Sequence, residues 1–126
     1  MAAFLRLALV ALAVLVVGGV VHRGYIAITE RRAERMEARA EVLASTRGKV
    51  VVYTAHWCPA CRTARDWLVA EKIPFEERDI ELPTGAKEKR AIGRGGIPQF
   101  VVDEEVLQPG FSATMVNRAR AAHGMR

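Results

Sequence analysis

"VVYTAHWCPAC", Val51 to Cys61, starts as a β-branched run and ends in two cysteines three positions apart, the only cysteines among 126 residues. The run from Lys49 to Thr54 is short and apolar without alternation, which fits a strand buried on both faces. After it, "CRTARDWLVAEK" sets Ala64, Leu68 and Trp67 at spacings that share one helical face. The cysteines therefore fall where a strand passes into a helix. Pro59 suits the first helical position, where no amide hydrogen is missed, and this leaves Cys58 at the cap and Cys61 one turn into the helix. Amide hydrogens and the positive end of the dipole at a helix start stabilise a thiolate on Cys58 more than a thiol. Thiolate is the attacking species. Cys58 accordingly reads as the nucleophile that opens a partner's disulfide, and Cys61, held close and more shielded, as the thiol that resolves the mixed disulfide. Arg62 and Arg65 either add positive charge nearby or simply line the helix surface.

Other uses of the pair are narrower. Two cysteines cannot build the multi-bridge framework of a small secreted domain. A zinc site needs two more ligands, and the chain offers His22, His56 and His123 beyond its acids, with no second C-x-x-C and no H-x-x-x-H. The reading is thus no metal site within the chain; a metal or an iron-sulfur cluster shared between two subunits of an adaptor stays open as an alternative. His56, two residues ahead of the cysteine, reads as an exposed loop residue rather than a base.

Working outward, "IPFEERDIE" is a second strand after the Ile73-Pro74 break, Ala86 to Ile92 a shorter helix, and "GRGG" (93–96) a glycine-rich turn. "PQFVVD" and "EVLQ" form a hairpin across Asp103-Glu104, and Ser112 caps a last helix running to about Ala122. The order is β-α-β-α-β-β-α, with the first two strands parallel and joined by a right-handed crossover.

Ahead of this domain, 49–126, lie two further segments. Residues 1–22 carry a single charge, Arg6, in a run of about the length that crosses a hydrocarbon core as a helix. They are read as a transmembrane anchor, with a cleaved signal segment as the alternative. Residues 23–48 are a charged helical linker: Ile26 to Ser45 contains neither Gly nor Pro and is rich in Ala, Arg and Glu. Its heptad seam of Ile26, Thr29, Ala33, Met36, Ala40 and Leu43 is half Ala or Thr, poor for a coiled coil, so a solvated spacer is expected. Arginines after the apolar run outnumber those before it, which favours a cytoplasmic domain; the periplasmic or other extracytoplasmic side is the alternative.

The net charge of +5 contains no stripe. Residues 49–126 mix twelve Lys or Arg with ten Asp or Glu, which excludes a focused nucleic-acid surface.

From Lys49 to His123 the chain resembles a glutaredoxin, or more broadly a small thioredoxin-fold redoxin. The resemblance rests on "VVYTAHWCPAC", on "GGIPQFVV" from Gly95 to Val102, and on "GFS" from Gly110 to Ser112. It implies an α/β thioredoxin-like mixed sheet and thiol-disulfide oxidoreductase activity through Cys58 and Cys61. It also implies a cis bond at Pro98 that presents the Ile97 backbone to an extended substrate. Trp57, Pro59, Ile97, Pro98, Gly110, Phe111 and Ser112 would then contact substrate. No bound cofactor is implied. Glutathione is the expected co-substrate, glutathione or thioredoxin reductase the electron donor, and protein disulfides or glutathione mixed disulfides the substrates. An exported oxidant or isomerase is the alternative if the domain lies outside the cytoplasm. Departures bear on glutathione: Ala55 stands where many glutaredoxins have a carboxylate-binding lysine, and Pro109-Gly110-Phe111-Ser112 replaces a double glycine, as in redoxins that thioredoxin reductase reduces. Trp57 is similar to thioredoxins, yet Val52 replaces their buried acid.

Overall fold

The apolar run after Lys49 is covered from both sides in the computed structural model, which describes residues 1–93 and 95–126, Ala2 by its backbone alone. It forms β1 (Val50–Thr54), buried at every position. β2 (Glu76–Asp79) pairs with it in parallel on one side and β3 (Gln99–Val102) antiparallel on the other. β4 (Glu105–Val106) then pairs antiparallel with β3, giving the order β2-β1-β3-β4. In this register Val52 lies between Glu77 and Phe100.

Four helices complete the chain: α1 (Ala2–Ala44), α2 (Pro59–Ala70), α3 (Pro83–Ile92) and α4 (Ala113–Ala122). α2 makes the crossover between the parallel strands, and the order after α1 is the β-α-β-α-β-β-α expected from the sequence. This is a thioredoxin-like α/β fold with a mixed sheet. Alternation along β1 and β3 divides the core. Val50, Val52, Phe100 and Val102 pack on Ala64 and Leu68 of α2 and on Val116 and Ala119 of α4. Val51, Tyr53 and Val101 face the other way, onto Ile92 of α3 and onto Val42 and Leu43 of α1.

The chain divides into two compact units, Met1–Arg35 and Met36–Arg126. In the first, α1 is continuous, and Leu7, Leu12, Val17 and Val21 are all exposed. A helix apolar all round suits a non-aqueous surrounding, and α1 is long and apolar enough to cross a membrane. In the second unit, the last turns of α1 are part of the packed domain: besides Val42 and Leu43, the Arg39 guanidinium donates to the Ile92 carbonyl at the end of α3. The stretch that its heptad pattern assigns to a solvated spacer thus covers one face of the sheet with its C-terminal end.

Two boundaries differ most from the sequence reading. β2 is confined to Glu76–Asp79 instead of 73–81, because Ile73 and Phe75 turn into the core before pairing starts. α3 starts at Pro83 instead of Ala86; proline again takes the first turn, where its missing amide costs no hydrogen bond. Gly85 obscures this start in the sequence. It is needed there because a Cβ would lie 2.0 Å from the Asp79 carbonyl oxygen. The expected β3-β4 hairpin turns on Asp103 and Glu104 with φ of 46° and 71°, the left-handed pair that usually favours Asn-Gly. Side chains hold this pair: Asp103 Oδ1 accepts the Gly48 amide at 2.6 Å, the Glu104 amide donates to Thr46 Oγ1 at 3.2 Å, and Arg47 grips the Glu104 carboxylate with two 3.1 Å bonds. The last of the expected elements, the glycine-rich turn 93–96, includes Arg94, which lies outside the described residues.

Candidate active site

At the C-terminal end of β1 the chain leaves the sheet, turns, and enters α2. Ala55 is buried, and its carbonyl accepts the Cys58 amide at 3.3 Å. Cys58 has extended φ and ψ of −86° and 111°, which makes it the N-cap, and Pro59 takes the first turn. Its Sγ accepts the Cys61 amide at 3.1 Å. Here a sulfur does what a serine or aspartate oxygen does at other helix starts, and that donor together with the helix dipole favours negative charge on it. Cys58 and Cys61 are joined as a disulfide with Cα atoms 5.3 Å apart. Cys61 is fully buried and Cys58 is 4% exposed, so the cap cysteine is the less buried of the two.

Around the sulfurs, Ala55, Ile80 and Ile97 form a small apolar cluster. Ile97 arrives from the far side of the site, where the Ile97-Pro98 peptide bond is cis, as the resemblance implied. Pro98 is buried, and its carbonyl accepts the Gly110 amide at 2.8 Å. The two loops expected to meet substrate are therefore bonded to each other. Gly95 packs so closely on Pro109 that a Cβ there would lie 2.5 Å from its Cγ. From β3, the buried Gln99 side chain donates to the Leu107 carbonyl at 2.5 Å.

Of the remaining candidates, Trp57 is 67% exposed beside Cys58, and Pro59 is exposed at the mouth of α2. Ser112 caps α4, its hydroxyl accepting the Met115 amide at 3.4 Å. Phe111 turns its ring inward, 5.4 Å from Trp67 and 6.2 Å from Phe100, so this residue has its backbone to offer a ligand. Val52 is wholly buried in the apolar cluster, where it supplies no base. Arg65 is engaged by Glu77 at 2.9 Å and Arg62 is exposed. His56 is exposed, as expected of a loop residue. Among the described residues, no three His, Cys, Asp or Glu side chains converge on a metal-sized site.

Two residues that position the site are absent from the sequence reading. The Glu81 carboxylate accepts the His56 amide at 2.6 Å, clamping the loop two residues ahead of Cys58. Nothing local in the sequence links positions so far apart. Lys89 is 7% exposed, and its ammonium donates to the Gly93 and Gly95 carbonyls at 2.9 and 2.8 Å, bracing the loop that leads to Ile97. This one had a signal: Gly85, Lys89 and Ile92 share the inward face of α3.

Parts of the chain are similar to known proteins. The Glutaredoxin family model matches residues 50–107, which takes in both cysteines and Pro98 and leaves out α1 and α4. The global transcriptional regulator Spx of Enterococcus faecalis is 43% identical over 44 residues. That match covers 34% of this chain and 33% of the regulator, about a third of each. Among solved structures, the holo form of glutaredoxin C1 from populus tremula x tremuloides superposes with a TM-score of 0.49 at 20% identity. It covers 68% of this chain and 88% of that one.

Proposed function

We propose that the domain is a glutaredoxin-like thiol-disulfide oxidoreductase that reduces protein disulfides or glutathione mixed disulfides through Cys58 and Cys61. The observation that carries this reading is the Cys58 sulfur at the N-cap of α2, accepting the Cys61 amide and facing the Ile97 loop. In the dithiol form, Cys58 thiolate attacks one sulfur of the substrate disulfide. A Cys58-substrate disulfide forms, and the other substrate sulfur leaves as a thiolate that takes up a proton. Cys61 thiolate then attacks Cys58 Sγ, releasing the second substrate thiol and leaving the Cys58–Cys61 disulfide. Two electrons from an external thiol or a flavin reductase restore the dithiol. The Ile97 backbone, in a half-buried residue beside the sulfurs, would pair with an extended substrate as a strand does. Trp57 and Pro59 offer it an apolar rim.

Glutathione is the proposed co-substrate, with thioredoxin reductase as the other candidate donor. Ala55 supplies no lysine for its carboxylate, and the Gly110 amide is spent on Pro98. The Phe111 and Ser112 amides at the start of α4 are the donors left for it in that loop. The N-terminal helix would tether the domain to a membrane, with the domain in the cytoplasm.

The test is a pair of variants assayed on a protein disulfide and on a glutathione mixed disulfide. Cys58→Ser should abolish both activities. Cys61→Ser should abolish the first and spare attack on the second. Activity retained by Cys58→Ser would refute the assignment.

A further inference from the structure

A cavity of about 490 Å³ opens at the start of β1, the opposite end of the strand from the one that leads to the cysteines. At roughly 3.3 Å per residue the two ends of β1 are about 13 Å apart. Val50, Ile73, Phe75 and Met125 give the cavity apolar walls, and its size falls in the range of small-molecule pockets. The charged side chains of the lining are three cations, Lys49, Arg120 and Arg126, and one acid, Glu76. The acid is spoken for: Glu76 accepts from Lys49 at 3.1 Å and from Arg78 at 3.0 Å. That leaves two guanidinium groups. Among the described residues neither Arg120 nor Arg126 forms an ion pair. Among the described residues Arg120 makes one long side-chain bond, from Nη1 to Asn117 Oδ1 at 3.4 Å, and its buried Nε has no acceptor. A buried N–H without a partner is unfavourable unless something enters to accept it.

We propose that this cavity binds an organic anion, a carboxylate or phosphate on a hydrocarbon body. The head group would accept from the Arg120 guanidinium, which lines the cavity, in the forked geometry that guanidinium favours. Arg126 adds the second positive charge, and the hydrocarbon body lies against Ile73, Phe75 and Met125. The head could belong to a free amphiphile or to a lipid; the recognition chemistry is the same. None of this depends on the redox reading, since no residue of the cavity belongs to that site.

The experiment uses the full chain in nanodiscs of zwitterionic lipid, labelled at methionine methyls. Met125 lines the cavity, and Met115, on the apolar core, is the internal control. In one arm sodium octanoate is titrated against octanol; in the other, phosphatidylglycerol replaces part of the lipid. Octanoate should shift Met125 saturably, at least tenfold more tightly than octanol, with Met115 unmoved. Arg120→Gln should weaken this at least tenfold, and Arg126→Gln should weaken it to a lesser degree. A shift produced by phosphatidylglycerol alone and lost in Arg120→Gln would assign the head group to lipid. No saturable shift in either arm, octanol matching octanoate, or Arg120→Gln behaving as wild type would overturn the proposal.

Discussion

Among the described residues, Lys89 faces carbonyls and no carboxylate. Burial pushes its ammonium below the usual lysine range, while the Gly93 and Gly95 carbonyls accept its protons. Its two bonds brace the chain just before Ile97, so Lys89→Met should loosen that loop without touching the sulfurs. The expected result is a rise in KM for a disulfide substrate of about fivefold, equivalent to about 1 kcal/mol of lost loop order, at unchanged Cys58 reactivity. A fall in kcat at constant KM would contradict this positioning role. At the far side of the hairpin, His123 Nε2 meets Glu105 at 2.9 Å and Nδ1 meets Asp103 at 3.1 Å. The hydrogen bond that His123 donates to Glu105 raises its pKa above the ordinary value; burial, the next largest effect, opposes this, and the charges of Asp103 and Glu105 add to the rise. A raised folded value means the pair's stability is full below the unfolded pKa of about 6.5 and is lost as pH rises through the folded one. Denaturation of wild type and His123→Gln should therefore differ at pH 5.5 and converge toward pH 9; a gap that widened with pH would contradict it. At this scale the sequence disclosed the residues whose meaning is local: Cys58 as cap, Pro59 in the first turn, Ser112 before α4. It hid Glu81, Lys89 and the bond from Gly110 to Pro98, because each depends on segments brought together by the sheet.

Elements were legible where the apolar pattern is uninterrupted. The five buried positions of β1 and the Ala64, Leu68 face of α2 gave both their type and their place. β2 is a polar strand, Glu-Glu-Arg-Asp, so its ends carried no pattern to read. The C-terminal end of α1 was misjudged for a different reason. Val42 and Leu43 are two apolar residues at the close of a long charged helix, and only the Val51, Tyr53 and Val101 face of the sheet, which they help to bury, explains them. A fragment starting at Met36 should thus outlast one starting at Lys49. Partial burial of Val42 and Leu43 is worth roughly 2 kcal/mol, which corresponds to a melting temperature lower by about 10 °C in the shorter fragment. Equal melting temperatures would show that α1 contributes nothing to the sheet. In the core, Leu68→Ala should cost about 2–5 kcal/mol, read as a shift in the denaturant midpoint, because Leu68 is fully buried between α2 and the sheet.

Across the whole molecule, one mixed sheet carries the cysteines at one end of its central strand and a basic-rimmed cavity at the other, while α1 leaves its N-terminal apolar surface uncovered. Full-length chain should sediment with membranes and resist alkaline carbonate, and a reporter fused after Arg126 should be active in the cytoplasm; release by carbonate would remove the tether from the account. The chemistry itself rests on a sulfur that caps a helix. The direct measurement is the pH dependence of alkylation at Cys58 in the full-length Cys61→Ser variant, where the amide at position 61 is retained. The inflection should fall at least about one pH unit below the 8.5 or so of an unperturbed thiol; an inflection at or above that value would contradict the account.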